Sequence, residues 1–142
     1  MKNREFVILP LLSIFGVIVF LISYIANGDW VAPPEADKIK NPIAGAKPNG
    51  KVENRFTSNC AMCHGNYGKG DGFDGKRLNP KPTDLTTEAV QRQTDGAIFW
   101  KISNGRGTML SYKNTFNETE RWELVNFVRS LGKNRNSISY DE

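Results

Sequence analysis

The chain has 142 residues, which predicts one small domain with an additional segment. Its formal net charge is +4, from 19 Lys and Arg against 15 Asp and Glu, and basic and acidic residues alternate along the sequence. Because no basic cluster with interleaved aromatic residues occurs, the composition argues against a nucleic-acid-binding protein.

The N-terminal segment is the most apolar part of the sequence. The run at 6–26 carries no charged residue, and as a helix it would be roughly 30 Å long, about the thickness of the hydrocarbon core of a bilayer. We therefore expect residues 1–26 to form a transmembrane signal-anchor. The alternative is a cleaved secretory signal, whose apolar run is usually shorter. Because Lys2 and Arg4 precede the run, the positive-inside rule predicts a bacterial inner-membrane protein whose remaining residues lie on the periplasmic side.

Residues 27–50 contain four prolines and several small residues, so they predict a semi-rigid tether rather than a helix or a strand. Such a tether would let a folded domain move between partners. It could equally be pinned along the surface of a larger complex, and the sequence leaves both possibilities open.

The predicted folded domain covers residues 51–133 and is all-α, because no stretch alternates apolar and polar residues for long enough to form a strand. Early helices are expected at 51–61, 86–93 and 95–103, with loops at 65–82 and 104–115. The last helix begins after Asn117, which forms a capping box with Glu120, and it is expected to end at Gly132. Residues 134–142 form a polar tail. Loops of this length in so small a domain indicate that a large group fills its centre.

Both cysteines and the only histidine of the chain stand together in the sequence CAMCHG, as Cys60, Cys63 and His64. A Cys-x-x-Cys-His run is the attachment signal for c-type haem. Residues three apart on a helical turn face the same way, so both thiols can form thioethers with one porphyrin edge, and the histidine can bind the iron. A zinc site usually needs four ligands, a thioredoxin-like pair needs a βαβ unit, and a disulfide leaves the adjacent histidine unexplained. We predict one covalent haem c.

The sixth iron ligand is predicted to be Met109. The chain has no second histidine, Met1 belongs to the start of the sequence, and Met62 lies inside the attachment motif. Met109 lies in the loop sequence GRGTMLSY, from which its thioether could reach the other face of the haem. The alternative is that Met109 fills the core. A His/Met pair is an established ligand set of cytochromes c and raises the reduction potential.

With these motifs the sequence from about residue 50 to 132 resembles a class I cytochrome c with one haem and His/Met ligation. Besides CAMCHG, the resemblance is carried by GKGDG at 68–72, NPKPTDLT at 79–86, DGAIFWKISNGRGTMLSY at 95–112 and RWELVNFVRSL at 121–131. It implies the class I cytochrome c fold around the haem, in which the first and last helices cross where Phe56 meets the region of Trp122 and Phe127. It also implies a proline carbonyl that accepts a hydrogen bond from the ring of the histidine ligand. Pro82 is the candidate and Pro80 its rival.

The anchored arrangement is similar to small membrane-bound cytochromes of bacterial respiratory chains, such as the monohaem subunit of alternative complex III. This resemblance implies an electron carrier, not an enzyme, with redox partners such as a quinol-oxidising complex, a terminal oxidase or nitrous oxide reductase. Basic residues in the predicted loops could steer an acidic partner, or they are merely solvated: Lys69, Lys76, Arg77, Lys81, Arg106 and Lys113.

Two alternatives to a tethered carrier remain. One is a haem-based gas sensor or a small haem enzyme with a labile sixth ligand, and the other is a fixed subunit of a membrane oxidoreductase.

Overall fold

The computed structural model of the protein describes residues 30–138. From Ala32 onward these residues belong to one compact unit, whereas Trp30 and Val31 belong to the unit that precedes it. The segment predicted as a signal-anchor, 1–26, lies outside the described residues, as do the last residues of the predicted tail, 139–142.

The compact unit is built of helices. Its α-helices are α1 (Gly50–Asn59), α2 (Ala61–His64), α3 (Glu88–Gln91), α4 (Asp95–Asn104) and α5 (Glu118–Ile138). Short 3-10 helices lie at Ala36–Lys38 and Gly75–Arg77. Within residues 30–138 the β-type pairing is limited to a bridge between Arg106 and Met109. The helical character expected from the sequence is thus what the structure supports.

The predicted fold class is wrong in its transmembrane helix. No helix in the part of the chain that the structure describes is both long enough and apolar enough to cross a bilayer. Helix α5 is long enough, with 21 residues, but charged residues recur along its sequence. The fold that the structure supports is therefore the helical domain alone. Residues 6–26, on which the prediction depended, are outside the described residues.

The first and last helices meet through aromatic side chains. The ring centroids of Phe56 in α1 and Phe127 in α5 are 4.7 Å apart, and Trp122 is stacked on Phe99 of α4 with a centroid distance of 3.9 Å. Trp122 and Phe56 are almost completely buried. Aromatic residues bury large apolar areas and dominate the energetics of a core, so this crossing is the centre of the domain.

The start of α5 has the capping box that the sequence predicts. The backbone N–H of Asn117 donates to Glu120 Oε2, and the backbone N–H of Glu120 donates to Asn117 Oδ1, each at 2.9 Å. The hydrogen bond from the backbone N–H of Asn117 holds the pKa of the Glu120 carboxyl below its ordinary value. The guanidinium of Arg55 in α1, whose Nη2 lies 2.7 Å from Glu120 Oε1, lowers this pKa as well. The box therefore also lies at the contact between the two crossing helices.

The predicted end of the last helix at Gly132 is wrong, because α5 continues to Ile138. Gly132 is instead a packing position. A Cβ atom at this residue would lie only 2.4 Å from the side-chain carboxamide carbon of Gln91, which crosses α5 here and donates to the Val128 carbonyl at 3.0 Å. The glycine provides room for a neighbour, and the sequence pattern alone does not distinguish that role from a helix stop.

Part of the segment predicted as a tether packs against the domain, and we refer to residues 32–43 as the N-terminal strap. Ala36 in the strap is completely buried. The side-chain amide of Asn41 donates to Asp95 Oδ2 at 2.8 Å and to Asn126 Oδ1 at 2.9 Å, and Asn126 Nδ2 donates to the carbonyl of Ile43 at 2.8 Å. The strap thus joins the start of α4 to the middle of α5.

Replacing Asn41 with Ala is expected to lower the free energy of unfolding by about 2 kcal/mol, because partners at partly buried positions lose their hydrogen bonds. Urea or thermal unfolding of the haem-loaded full chain measures the change. Asn114→Ala, which alters an exposed amide in the loop before α5, is the control and should be near neutral. Equal stability of the two variants would show that the strap contributes little.

Candidate functional site

Cys60, Cys63 and His64 lie on one helical turn that follows α1. The backbone N–H groups of Cys63 and His64 both donate to the carbonyl of Cys60, at 3.1 and 2.8 Å. Both cysteines are half-buried, and neither forms a disulfide in this structure. The turn therefore holds two free thiols and an imidazole close together.

The loop after this turn folds back onto it through backbone hydrogen bonds. The N–H of Gly70 donates to the carbonyl of His64 at 2.8 Å, the N–H of Gly72 to Cys63 at 3.2 Å, and the N–H of Asp74 to Met62 at 3.0 Å. These bonds satisfy the carbonyl groups at the end of a short helix, which have no partners within the helix. The turn is consequently held between α1, which precedes it, and the loop that follows it.

The ring of His64 is oriented by a backbone carbonyl. Its Nδ1 atom donates to the carbonyl of Thr83 at 3.1 Å. Because a carbonyl can only accept, Nδ1 carries the hydrogen and Nε2 keeps its lone pair. Burial lowers the pKa of His64, and the hydrogen bond to Thr83 partly opposes this effect. The neutral tautomer with a free Nε2 is the form that binds a metal.

The acceptor predicted from the sequence, Pro82, is not the one that the structure shows. The carbonyl oxygen of Pro82 lies against Gly70, and the next carbonyl along the chain, that of Thr83, contacts His64. The hydrogen bond from Leu85 N–H to the Gly68 carbonyl, at 2.7 Å, holds the segment that contains Thr83 in this position. Sequence reasoning missed Thr83, and its only signal was its place next to the proline.

Met109 lies in the loop between α4 and α5, as the sequence predicts. The backbone groups of Met109 and Arg106 exchange two hydrogen bonds of 3.0 Å, which close a tight turn. Gly105, which begins this turn, has a φ of +63°, and a Cβ atom there would lie 2.4 Å from the Met109 carbonyl oxygen. Glycine is therefore required at the base of the turn. The side chain of Met109 is half-buried, and its ligation of iron stays a prediction.

Tyr112 is a residue at the site that sequence reasoning missed. Its hydroxyl donates to the carbonyl of Asn59 at 2.6 Å, beside Cys60. Burial and the neighbouring cysteines raise the pKa of Tyr112 to about 12. Burial likewise raises the pKa of the Cys60 thiol to about 11, although its contact with Tyr112 opposes the shift. Both groups are therefore uncharged at neutral pH. The available signal was an aromatic residue within a loop of small and polar residues.

The residues at the turn fit a covalently attached haem better than a free metal ion. Among residues 30–138, no three or more His, Cys, Asp or Glu side chains converge so as to hold a metal ion. Cys60, Cys63 and His64 therefore do not form a metal site by themselves. Two free thiols for thioether bonds and one neutral imidazole for the iron are the donors that a haem c requires.

Comparisons with known proteins agree with this donor set. The model of the family described as cytochrome C oxidase, cbb3-type, subunit III matches residues 48–128, a range that contains Cys60, Cys63, His64 and Met109. No curated protein matches the chain. Among solved structures, a chain of the Kuenenia stuttgartiensis reducing HAO-like protein complex Kustc0457/Kustc0458 is similar, with 26% sequence identity and a TM-score of 0.53. The match covers 68% of this chain and 46% of that chain, so this chain spans less than two thirds of its relative.

Proposed function

The chain belongs to the family of cytochrome c oxidase, cbb3-type, subunit III, and on this premise we propose that it relays single electrons between redox proteins through a His/Met-ligated haem c. The bound haem supplies one-electron chemistry at its iron. The observation that carries the proposal is the turn with Cys60, Cys63 and His64, in which the Thr83 carbonyl orients the imidazole.

Each of the four predicted site residues has a defined part in this proposal. Cys60 and Cys63 attach the porphyrin through thioethers, and His64 offers Nε2 to the iron because its Nδ1 is occupied by Thr83. Met109 would bind the iron as the second protein ligand. With His64 and Met109 both bound to the iron, the haem would offer no open position for a substrate, and the same ligands would serve both oxidation states. A thioether ligand and a buried haem raise the potential, which suits the oxidising end of a respiratory chain.

The partners that we propose are redox proteins, with this chain as a carrier or as a subunit of a respiratory assembly. The family description names a cytochrome c oxidase, and the similar solved structure is a multi-protein complex. A terminal oxidase is the partner class to which the family description points, while a quinol-oxidising complex and nitrous oxide reductase rest on the resemblance to small membrane-bound cytochromes. Exposed basic residues in the loops around the site fit an acidic partner surface: Lys69, Lys76, Arg77, Lys81, Arg106 and Lys113.

We further propose that the haem domain works in the periplasm. The support is the uncharged run at 6–26 that follows Lys2 and Arg4, a pattern typical of an export signal. Protease added to spheroplasts should digest the haem protein while cytoplasmic markers survive. Survival of the haem protein together with those markers would reject this location.

Carbon monoxide binding to the reduced, haem-loaded full chain tests the relay against a sensor or a small haem enzyme. We expect no change in the absorption spectrum on adding carbon monoxide, because Met109 occupies the position at which the gas would bind. Fast and reversible binding would favour the sensor. The control is the same protein after unfolding in denaturant, which must bind carbon monoxide and so shows that the assay detects an accessible haem.

A further inference from the structure

We propose that Tyr112 is a positioning residue that ties the loop of Met109 to the turn of Cys60 and thereby keeps Met109 in place. The inference depends on the proposed function, since it concerns the stability of a ligand that the proposed function assigns. It adds a residue whose hydroxyl contacts the Asn59 carbonyl and the Cys60 side chain, and whose backbone belongs to the loop of Met109.

One end of the link is the carbonyl of Asn59, the last residue of α1. Carbonyl groups in the final turn of a helix have no partner within the helix and need a donor from elsewhere. The hydroxyl of Tyr112 supplies that donor at 2.6 Å, across 53 positions of sequence. The contact is half-buried, so water does not readily replace the hydroxyl.

The other end of the link is the backbone after Met109. The N–H of Tyr112 donates to the carbonyl of Ile102 in α4 at 3.1 Å, and its ring stacks on Phe116 with a centroid distance of 5.1 Å and an interplanar angle of 4°. The exposed fraction of Tyr112 is 8%, whereas that of Leu110, beside Met109, is 68%. The segment therefore changes from a solvent-exposed tip to a fixed base within a few residues, and Tyr112 is part of that base.

A fixed base limits how far Met109 can move away from the position that it takes as a ligand. Without the hydroxyl, the Asn59 carbonyl has lost its donor and the loop has lost its bond to the attachment turn. The loop then opens more readily. An external ligand that competes with Met109 for ferric iron should bind more tightly, because releasing Met109 from the iron costs less free energy.

The test is a titration of the ferric, haem-loaded full chain with imidazole, followed by its absorption spectrum. For Tyr112→Phe, which keeps the ring and removes the hydroxyl, we expect the apparent Kd for imidazole to fall about tenfold, equivalent to about 1.4 kcal/mol. The charge-transfer absorption of ferric iron with methionine should persist before imidazole is added, because the ligand itself is unchanged.

Two control variants separate positioning from general loosening. Tyr67→Phe removes the hydroxyl of a tyrosine that is 75% exposed, and it should leave the Kd unchanged. Asn41→Ala destabilises the strap far along the chain from Tyr112, and it should lower the unfolding midpoint with no effect on the Kd. An equal fall in Kd for Asn41→Ala would assign the effect to global stability and overturn the proposal.

The remaining outcomes distinguish this inference from the proposed function. If the wild-type protein shows the charge-transfer absorption and Tyr112→Phe binds imidazole as the wild type does, the role of Tyr112 is rejected while Met109 remains the ligand. If the wild-type protein lacks that absorption, Met109 is not the ligand, and both the His/Met assignment and the role of Tyr112 are rejected.

Discussion

Replacing Met109 with Ala is expected to abolish the charge-transfer absorption of ferric iron with methionine and to lower the reduction potential by roughly 0.2 V, within the range of about 0.8 V over which axial ligands tune haem. The physical reason is that a soft thioether favours ferrous iron, whereas water or another hard ligand in its place favours ferric iron. Absorption spectra of the oxidised protein and a redox titration of the haem-loaded full chain measure the two effects.

Met62→Ala is the matched control for this experiment, because it removes a methionine that lies in the attachment motif itself. The side chain of Met62 is 56% exposed, and its replacement should leave both the absorption band and the potential close to those of the wild type. If Met109→Ala keeps the band, Met109 does not bind the iron. If Met109→Ala binds carbon monoxide when reduced and the wild type does not, the sixth position has been opened as expected.

Features that depend on neighbouring residues could be predicted from the sequence. Asn117 and Glu120 are three positions apart, and the capping box that this spacing predicts is present, with both hydrogen bonds at 2.9 Å. Cys60 and His64 lie on one turn for the same reason, since a single helical turn brings residues three and four apart together. The contact between Phe56 and Phe127 did not follow from such local spacing; it was implied by the resemblance to class I cytochromes c, and the structure shows it.

Features that depend on distant residues could not be predicted in this way. The strap is held by Asn41, whose partner Asn126 is 85 positions away, and a segment with many prolines carries no local pattern that reports such a contact. The histidine acceptor is a second example. The carbonyl groups of Pro82 and Thr83 are chemically equivalent, so only the path of the backbone past Gly70 decides which one reaches His64.

Tyr112 combines both kinds of information. Its place three residues after Met109 is visible in the sequence, but its partner Asn59 is the last residue of α1, 53 positions away. The same applies to Gly132. Its position at the end of an apolar stripe indicates a helix stop, but the structure shows that the side chain of Gln91 packs against it. In both cases the residue type is informative, and the tertiary contact decides what the residue does.

Replacing Cys60 and Cys63 together with Ala is expected to abolish covalent haem attachment, because these are the only two thiols in the chain. Each single variant should keep a haem through its one remaining thioether. The intact mass under denaturing conditions measures this result, since only a covalently bound haem stays with the unfolded chain. Ser58→Ala, which changes an exposed residue two positions before Cys60, should retain the wild-type mass difference.

A double variant that still carried the mass of a haem would contradict attachment through this turn. A double variant that lost the haem from the unfolded chain but held it when folded would show that His64 and Met109 suffice to bind it, and that the thioethers make the binding permanent.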